Sequence, residues 1–486
     1  MDKRNLTLLT DFYELTMMQG YAKHDMHERV VFDIFYRRNP FHGGYAIMAG
    51  LHEVISYIKE LHFTDEDIEY LRSLHTFSEE FLSYLRQFSF SGDIYAIREG
   101  NVIFPGEPLV KVVAPLPEAQ LIETAMLTLI NHQSLIATKA ARVTYAAQGD
   151  TVLEFGLRRA QGPDAGLLGA RAAIIGGCTG TSNVLAGKEY SLPVAGTHAH
   201  SWVMSFPDEY TAFRTYASLY PKNCFLLVDT YDTLKQGVPN AIRVFRELMA
   251  EGVTFERYGI RLDSGDLSYI SKKARRLLDD AGLTDAIISA SSDLDEYLVS
   301  SLKAQGAKIT SWGVGTNLIT ANDCPSFGGV YKLAAYYDKD NQRYIPKIKL
   351  SDNLEKITNP GNKKIYRIFD AATHMIHADL ICLEEEVYDC SEDLEIFDPI
   401  SPWKKTLLSG GHYYMEELLI PIFLQGQCVY ESPDVMSIQA YCKEQLARLW
   451  DESKRFDNPH EVYVDLSRPL FDMKQDLLIQ HGRGVL

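Results

Sequence analysis

The sequence predicts a parallel α/β core, its sheet open or closed into a barrel, on three observations. Apolar strand-like runs recur through the middle of the chain, amphipathic helical stretches separate several of them, and polar clusters sit just after the runs. The runs are 151–157, 194–198, 224–230, 257–262, 285–290, 308–313 and 327–333. In parallel α/β folds the active site lies at the carboxyl ends of the strands, so the polar clusters are the candidate site.

In chain order, residues 88–114 read as short strands with turns at Ser91-Gly92-Asp93, Glu99-Gly100-Asn101 and Pro105-Gly106-Glu107, and 117–147 reads as a helix. The first core run, Thr151-Val152-Leu153, feeds through Phe155 into Arg158-Arg159 and then a Gly162-Pro163 break. That is a buried strand whose end delivers two guanidinium groups into a loop. Their planar forks suit a carboxylate or phosphate. The alternative is a structural salt bridge, since acids outnumber bases.

Thr197-His198-Ala199-His200-Ser201 follows the second run, and Asp229-Thr230-Tyr231-Asp232 the third. Arg261-Leu262-Asp263-Ser264-Gly265-Asp266, then Ser289-Ala290-Ser291-Ser292-Asp293, come next. Gly313-Val314-Gly315-Thr316-Asn317 and Phe327-Gly328-Gly329 close the series where a barrel's seventh and eighth strands would end. Between them, Ile270, Ala274, Leu277, Leu278 and Ala281 share one helical face, with Gly282 at the expected C-terminal stop. Stretches 241–253 and 294–306 behave alike, and Asp266 and Asp293 are candidate N-caps. Residues 342–385 are again β-like, with Asn359-Pro360-Gly361-Asn362 as a hairpin signal, and 432–456 reads as a helix. The two β-rich pieces flank the core and are placed to form one discontinuous domain.

A chain of 486 residues exceeds one ordinary core, and 46% hydrophobic with 23% charged residues is a globular composition. A net charge of −17 argues against nucleic acid as a partner, so an anionic substrate must be met by local arginines. Seven cysteines without a CxxC pair read as reduced thiols, no apolar stretch reaches the roughly 18 residues that span a bilayer, and the N-terminus has no leader-like apolar core. A cytoplasmic protein is expected.

The glycine-rich clusters suit a phosphate, because glycine lets backbone N–H groups approach its oxygens, or they are plain turns. His198 and His200, two apart, would share a face on a strand as metal ligands do, but no third ligand is spaced to join them. A single working histidine, as base or nucleophile, is the stronger reading, with a structural histidine as the alternative. Asp229 is placed to hold such an imidazole. Asp229, Asp232, Asp263 and Asp266 form two Asp-x-x-Asp pairs, suited to Mg²⁺ beside a phosphate, to ribose hydroxyls, or to helix caps.

With these residues in place, the chain resembles the nicotinate phosphoribosyltransferases end to end. The matching motifs are Leu9-Thr10-Asp11-Phe12-Tyr13-Glu14-Leu15-Thr16-Met17, the Phe35-Tyr36-Arg37-Arg38-Asn39-Pro40-Phe41 run, the Glu154–Asp164 arginine segment, Gly196–Ser201, Arg261–Asp266 and Trp312–Thr316. The resemblance implies an irregular parallel α/β barrel of the type II phosphoribosyltransferase kind, with a discontinuous α/β N-terminal domain. The expected division is 1–135 completed by about 337–400, a catalytic barrel at 136–336, and a mostly helical extension at 401–486.

The implied reaction joins nicotinate to 5-phosphoribosyl 1-pyrophosphate, with Mg²⁺, and is coupled to ATP hydrolysis through a phosphohistidine. His200 matches the phosphorylated position and Asp229 the carboxylate that orients it. Phe155 and Tyr13 match the aromatic pair around the pyridine ring, Tyr13 reaching in from the other subunit of a homodimer. Arg158, Arg261 and Thr197 match the base and ribose pocket, with Arg159 replacing Arg158 if the register slips by one. Asp263 matches the ribose ligand, and Gly313, Gly315, Thr316, Gly328 and Gly329 the 5′-phosphate cup; Asp232 is the candidate for Mg²⁺ through water. Ser182 stands where nicotinamide-specific relatives carry aspartate, which favours nicotinate. The competing readings are a sister enzyme acting on nicotinamide or quinolinate, a silent relative that only binds these ligands, and a metal-dependent hydrolase.

Overall fold

A computed structural model of the chain describes residues 5–353, 356–401 and 403–482; Met1–Arg4 lie outside them. The chain divides into two compact units. One is Ile136–Pro325 with Asp434–Gln439; the other is Met1–Leu135, Ser326–Pro433 and Ala440–Leu486.

The first of these holds six strands, each pairing parallel with its neighbours, in the order Gly180–Thr181, Thr151–Glu154, Ser311–Val314, Ile287–Ala290, Tyr258–Leu262, Cys224–Leu227. Helices Pro163–Ile175, Val238–Ala250, Leu267–Asp280 and Glu296–Ala304 alternate with them. The sheet curls into a half-barrel: the alternation of apolar runs predicted its parallel strands, and the family resemblance implied the irregular barrel. The strands Cys224–Leu227 and Ser311–Val314 are buried on both faces, which explains why they read as continuous apolar runs. Trp312 is wholly buried and donates from its indole to Asp150 at 3.0 Å, while Lys303 binds the same carboxylate at 2.7 Å. These bonds anchor the strand that carries Gly313.

Two of the seven runs behave differently. Residues 194–198 contribute one bridge, Thr181 with Val194, and then leave the sheet because Thr197 and His198 bond elsewhere. The run 327–333 is not a barrel strand. It belongs to Gly329–Asp338, which pairs antiparallel with Arg29–Tyr36 in the other unit. Asp266 caps its helix by accepting from Tyr269 N–H at 2.9 Å, whereas the next cap is Asp295, not Asp293. Gly282 lies just past its helix at φ +81°, a conformation that favours glycine.

Among the described residues the other unit contains three sheets, one of them only the two-stranded pair Ala46–Ile47 and Val102–Ile103. The seven-stranded one runs Arg343–Pro346, Gly329–Asp338, Arg29–Tyr36, Val110–Pro115, Asp93–Ile97, Leu419–Leu424, Gln427–Cys428, antiparallel throughout. The six-stranded one is built on Lys363–Asp370 and Ile376–Leu383. The expected hairpin at 359–362 is displaced: the true turn joins these two strands at residues 371–375. Arg367, fully buried, forms a two-pronged bond with Asp379 (2.9 and 2.7 Å) and binds Asn101 at 2.7 Å. Residues N-terminal and C-terminal to the barrel segment thus share one core. Among the described residues, 401–486, expected to be mostly helical, carry five strands besides two long helices, because Leu419–Leu424 and Tyr463–Leu466 complete sheets begun earlier. Among the described residues no helix is long and apolar enough to cross a membrane.

Candidate active site

The carboxyl ends of the barrel strands converge on two linked clusters. In the first, Arg261 is held on three sides: its Nε donates to Ser291 Oγ at 2.8 Å, one terminal nitrogen to Thr197 Oγ1 at 2.8 Å, and the other to Asp263 Oδ1 at 3.1 Å. The guanidinium lies 6.0 Å from the centre of the Phe155 ring. Ser291 also donates to Asp263. Phe155 follows the strand Thr151–Glu154 and donates its N–H to Val314 at 2.8 Å, which fixes the backbone from which the ring projects. The ring rests on Gly313: a methyl there would stand 2.6 and 2.7 Å from two ring carbons. Gly313 is therefore the seat of an aromatic plate.

The second cluster is built on Asp229, whose side chain is 2% exposed. Its Oδ1 accepts from His200 Nε2 at 3.2 Å; its Oδ2 accepts from Asp263 N–H at 3.0 Å and Ser264 Oγ at 2.6 Å. Three donors leave this carboxylate no freedom to rotate, so it holds the imidazole with the proton on Nε2. His200 opens the helix His200–Met204 and is 41% exposed, with no other hydrogen bond among the described residues. Its Nδ1 is thus an available lone pair.

His198 does not share a face with His200. It is buried, accepts from Leu227 N–H at 3.2 Å and packs edge-on to Tyr216 at 4.7 Å between ring centres. Burial pushes its pKa down to about 4 from an ordinary 6.5, so it is a neutral structural histidine. Among the described residues no three His, Cys, Asp or Glu groups gather as a metal site. Asp232 caps the helix that begins at Thr233, accepting from Lys235 N–H at 2.9 Å, and is 45% exposed.

Arg158 and Arg159 lie in a single helical turn, Leu157–Arg159, both exposed and with no side-chain hydrogen bond or ion pair among the described residues. The salt-bridge alternative therefore falls away. Register does not decide between them, because neither is on a strand. Ser182 follows the short strand Gly180–Thr181, its N–H donating to Glu154 O at 2.9 Å, and lines a cavity of about 830 Å³ with Val194, Gly196, Thr197, Tyr216 and Tyr220. Gly315 precedes the short helix that Thr316 opens. Gly328 and Gly329 belong to the other unit, where Gly328 has φ +74° and a methyl at Gly329 would collide with the Asn131 amide. Tyr13, also in that unit, is 46% exposed on the helix Phe12–Lys23.

Two residues that tie the site together, Ser264 and Ser291, were visible in the polar clusters without a role. The available signal was position: each lies within two residues of a strand end.

Comparisons with known proteins bear on the family and the fold. The chain matches the nicotinate phosphoribosyltransferase N-terminal domain over residues 8–131, the nicotinate phosphoribosyltransferase family over 151–359, and the nicotinate phosphoribosyltransferase C-terminal domain over 362–474. It is 47% identical to a nicotinate phosphoribosyltransferase of Bacillus subtilis, covering 97% of this chain and 94% of that one. The human nicotinate phosphoribosyltransferase is 32% identical, covering 95% of each. The crystal structure of human nicotinic acid phosphoribosyltransferase superposes with a TM-score of 0.83 at 29% identity, covering 96% of this chain and 99% of that one. The chain belongs to the nicotinate phosphoribosyltransferase family.

Proposed function

We propose that the chain transfers phosphoribosyl from 5-phosphoribosyl 1-pyrophosphate to nicotinate, giving nicotinate mononucleotide and pyrophosphate, with ATP hydrolysis coupled through phosphorylation of His200. One observation carries the reading. Asp263 joins the two clusters, its side chain accepting from Arg261 and its N–H donating to the Asp229 that holds His200. A sugar bound at Asp263 would have the base plate on one side and the phosphoryl-accepting imidazole on the other. Asp263 Oδ2 accepts no hydrogen bond among the described residues, which leaves it for a ribose hydroxyl.

Phe155 would stack on the pyridine ring, and Arg261, with Arg158 or Arg159, would meet its carboxylate; Thr197 fixes the guanidinium plane. Ser182 places no negative charge in the pocket, which suits nicotinate over nicotinamide. These contacts mainly supply orientation, holding the ring nitrogen in line with the sugar's C1 as pyrophosphate leaves. Gly315 and Thr316, just past the strand Ser311–Val314, are assigned to the 5′-phosphate. In the ATP half-reaction, Nδ1 of His200 attacks the γ-phosphorus, ADP leaves, and Asp229 stabilises the charge that develops on the ring. Water later releases phosphate from the histidine.

Mg²⁺ keeps most of its waters and needs only one or two carboxylates beside substrate phosphates. The exposed Asp232 fits it through water, and the ion would neutralise charge on the departing pyrophosphate. A homodimer with Tyr13 supplied across the interface is supported by the exposure of Leu9, Phe12, Tyr13 and Met17 on one stretch. Seven cysteines, none in a disulfide among the described residues, support a cytoplasmic location.

The test combines nicotinate, donor, Mg²⁺ and γ-labelled ATP. Mononucleotide should form, and the protein should take up label. His200→Ala should abolish labelling and ATP hydrolysis while retaining some uncoupled transfer. Label retained by the variant would assign the phosphoryl group to another residue.

A further inference from the structure

We propose that Glu154 is a positioning residue that sets the spacing of the base pocket, a reading that rests on the assignment of Phe155 and Ser182 to that pocket. Glu154 ends the strand Thr151–Glu154, is wholly buried, and forms no ion pair with any Lys or Arg among the described residues. Both carboxyl oxygens are used, on two different segments. One accepts from Thr181 Oγ1 at 2.5 Å; the other accepts from Gly156 N–H, closing the turn that carries Phe155. The backbone oxygen of Glu154 accepts from Ser182 N–H at 2.9 Å. Its strand neighbours are Val314 on one side and Thr181 on the other. The hydroxyl of Thr181 in turn accepts from Asn183 N–H at 3.0 Å, so the network brackets Ser182.

A buried carboxyl group with no cation is expensive, and burial raises its affinity for a proton. An apolar side chain would fill the same space at lower cost. It could not hold donors from two segments at once. The acceptor pair ties the ring-bearing turn to the strand end that presents Ser182, so the gap between plate and selectivity residue is fixed by one side chain. Gly156 adds to the constraint, since a methyl there would collide with Ile319.

The test compares wild type with Glu154→Gln, Thr181→Val and Thr181→Ser, all in the full chain. Glutamine keeps one acceptor and turns an NH₂ toward one of the two donors; valine removes the hydroxyl and serine keeps it. Glu154→Gln and Thr181→Val should each raise KM for nicotinate about tenfold, the scale of one lost buried hydrogen bond. KM for the phosphoribosyl donor should stay within about twofold, and Thr181→Ser should behave as wild type. If Glu154→Gln does not fold, Thr181→Val decides. An unchanged nicotinate KM, or nicotinate and donor KM rising together, overturns the proposal. Phe155→Ala separates the two levels. Should it leave nicotinate KM unchanged, the base-pocket assignment itself fails; should it raise KM while Glu154→Gln and Thr181→Val do not, only the role of Glu154 fails.

Discussion

Replacing Gly313 by alanine distinguishes a ring seat from a phosphate loop. The new methyl would stand 2.6 and 2.7 Å from Cδ2 and Cε2 of Phe155, against an ordinary carbon–carbon contact of about 3.5–4.0 Å. Gly313 pairs with Leu153 in a buried strand, so the backbone cannot retreat and the ring must move by about 1 Å. Overpacking of this kind costs about 1–3 kcal/mol. If the cost falls on base binding, KM for nicotinate rises roughly 5- to 150-fold. Steady-state kinetics with each substrate varied in turn is the assay, and donor KM should move little. On a Phe155→Ala background the same substitution should have almost no further effect, because the colliding ring is gone. A full-sized effect on that background, or a larger change in donor KM than in nicotinate KM, would show that Gly313 contacts phosphate and that the seat is incidental.

Asp229→Asn keeps an acceptor for Asp263 N–H and Ser264 but turns an NH₂ toward His200. The imidazole must then carry its proton on Nδ1, and label uptake from γ-labelled ATP should fall about 100-fold; a change under threefold would remove Asp229 from the mechanism. Ser182→Asp should shift kcat/KM toward nicotinamide, since a carboxylate repels nicotinate's own and accepts from an amide; an unchanged ratio sinks the selectivity argument. Stability should respond to pH in two opposite directions. His198 binds no proton in the folded state until about pH 4, whereas the unfolded chain binds one at 6.5, so roughly 3 kcal/mol is lost as pH falls across that window. Glu14 is lifted by burial to about 7 from 4.5, so its contribution is lost as pH rises through that interval. The two windows overlap between about pH 4.5 and 6.5, where the slopes oppose, so in denaturant titrations His198→Gln should lose stability more steeply than wild type as pH rises there and Glu14→Gln should gain it more steeply; unchanged slopes would contradict these assignments.

Much of the barrel was legible because a strand buried on both faces reads as an unbroken apolar run, and an amphipathic helix advertises its period. Cys224–Leu227 and Leu267–Asp280 both follow directly from pattern. The errors have a common cause. An apolar run such as 327–333 says that a segment is buried but not against what, and pairing with Arg29–Tyr36 is a long-range choice. Thr197 and His198 leave the sheet because their partners, Arg261 and Leu227 N–H, lie far along the chain.

The sequence by itself determined the chemistry on offer at the strand ends: arginines, a histidine pair, carboxylates and glycines, each placed where a parallel sheet presents its residues. Tertiary structure alone decided their surroundings and partners. It separated His198, buried and neutral, from His200, exposed and held by Asp229. It left Arg158 and Arg159 unpaired, and it showed Gly313 beneath Phe155. The physical reason is that a side chain's identity fixes which bonds it can make, while burial and the partners within about 3 Å fix which it does make.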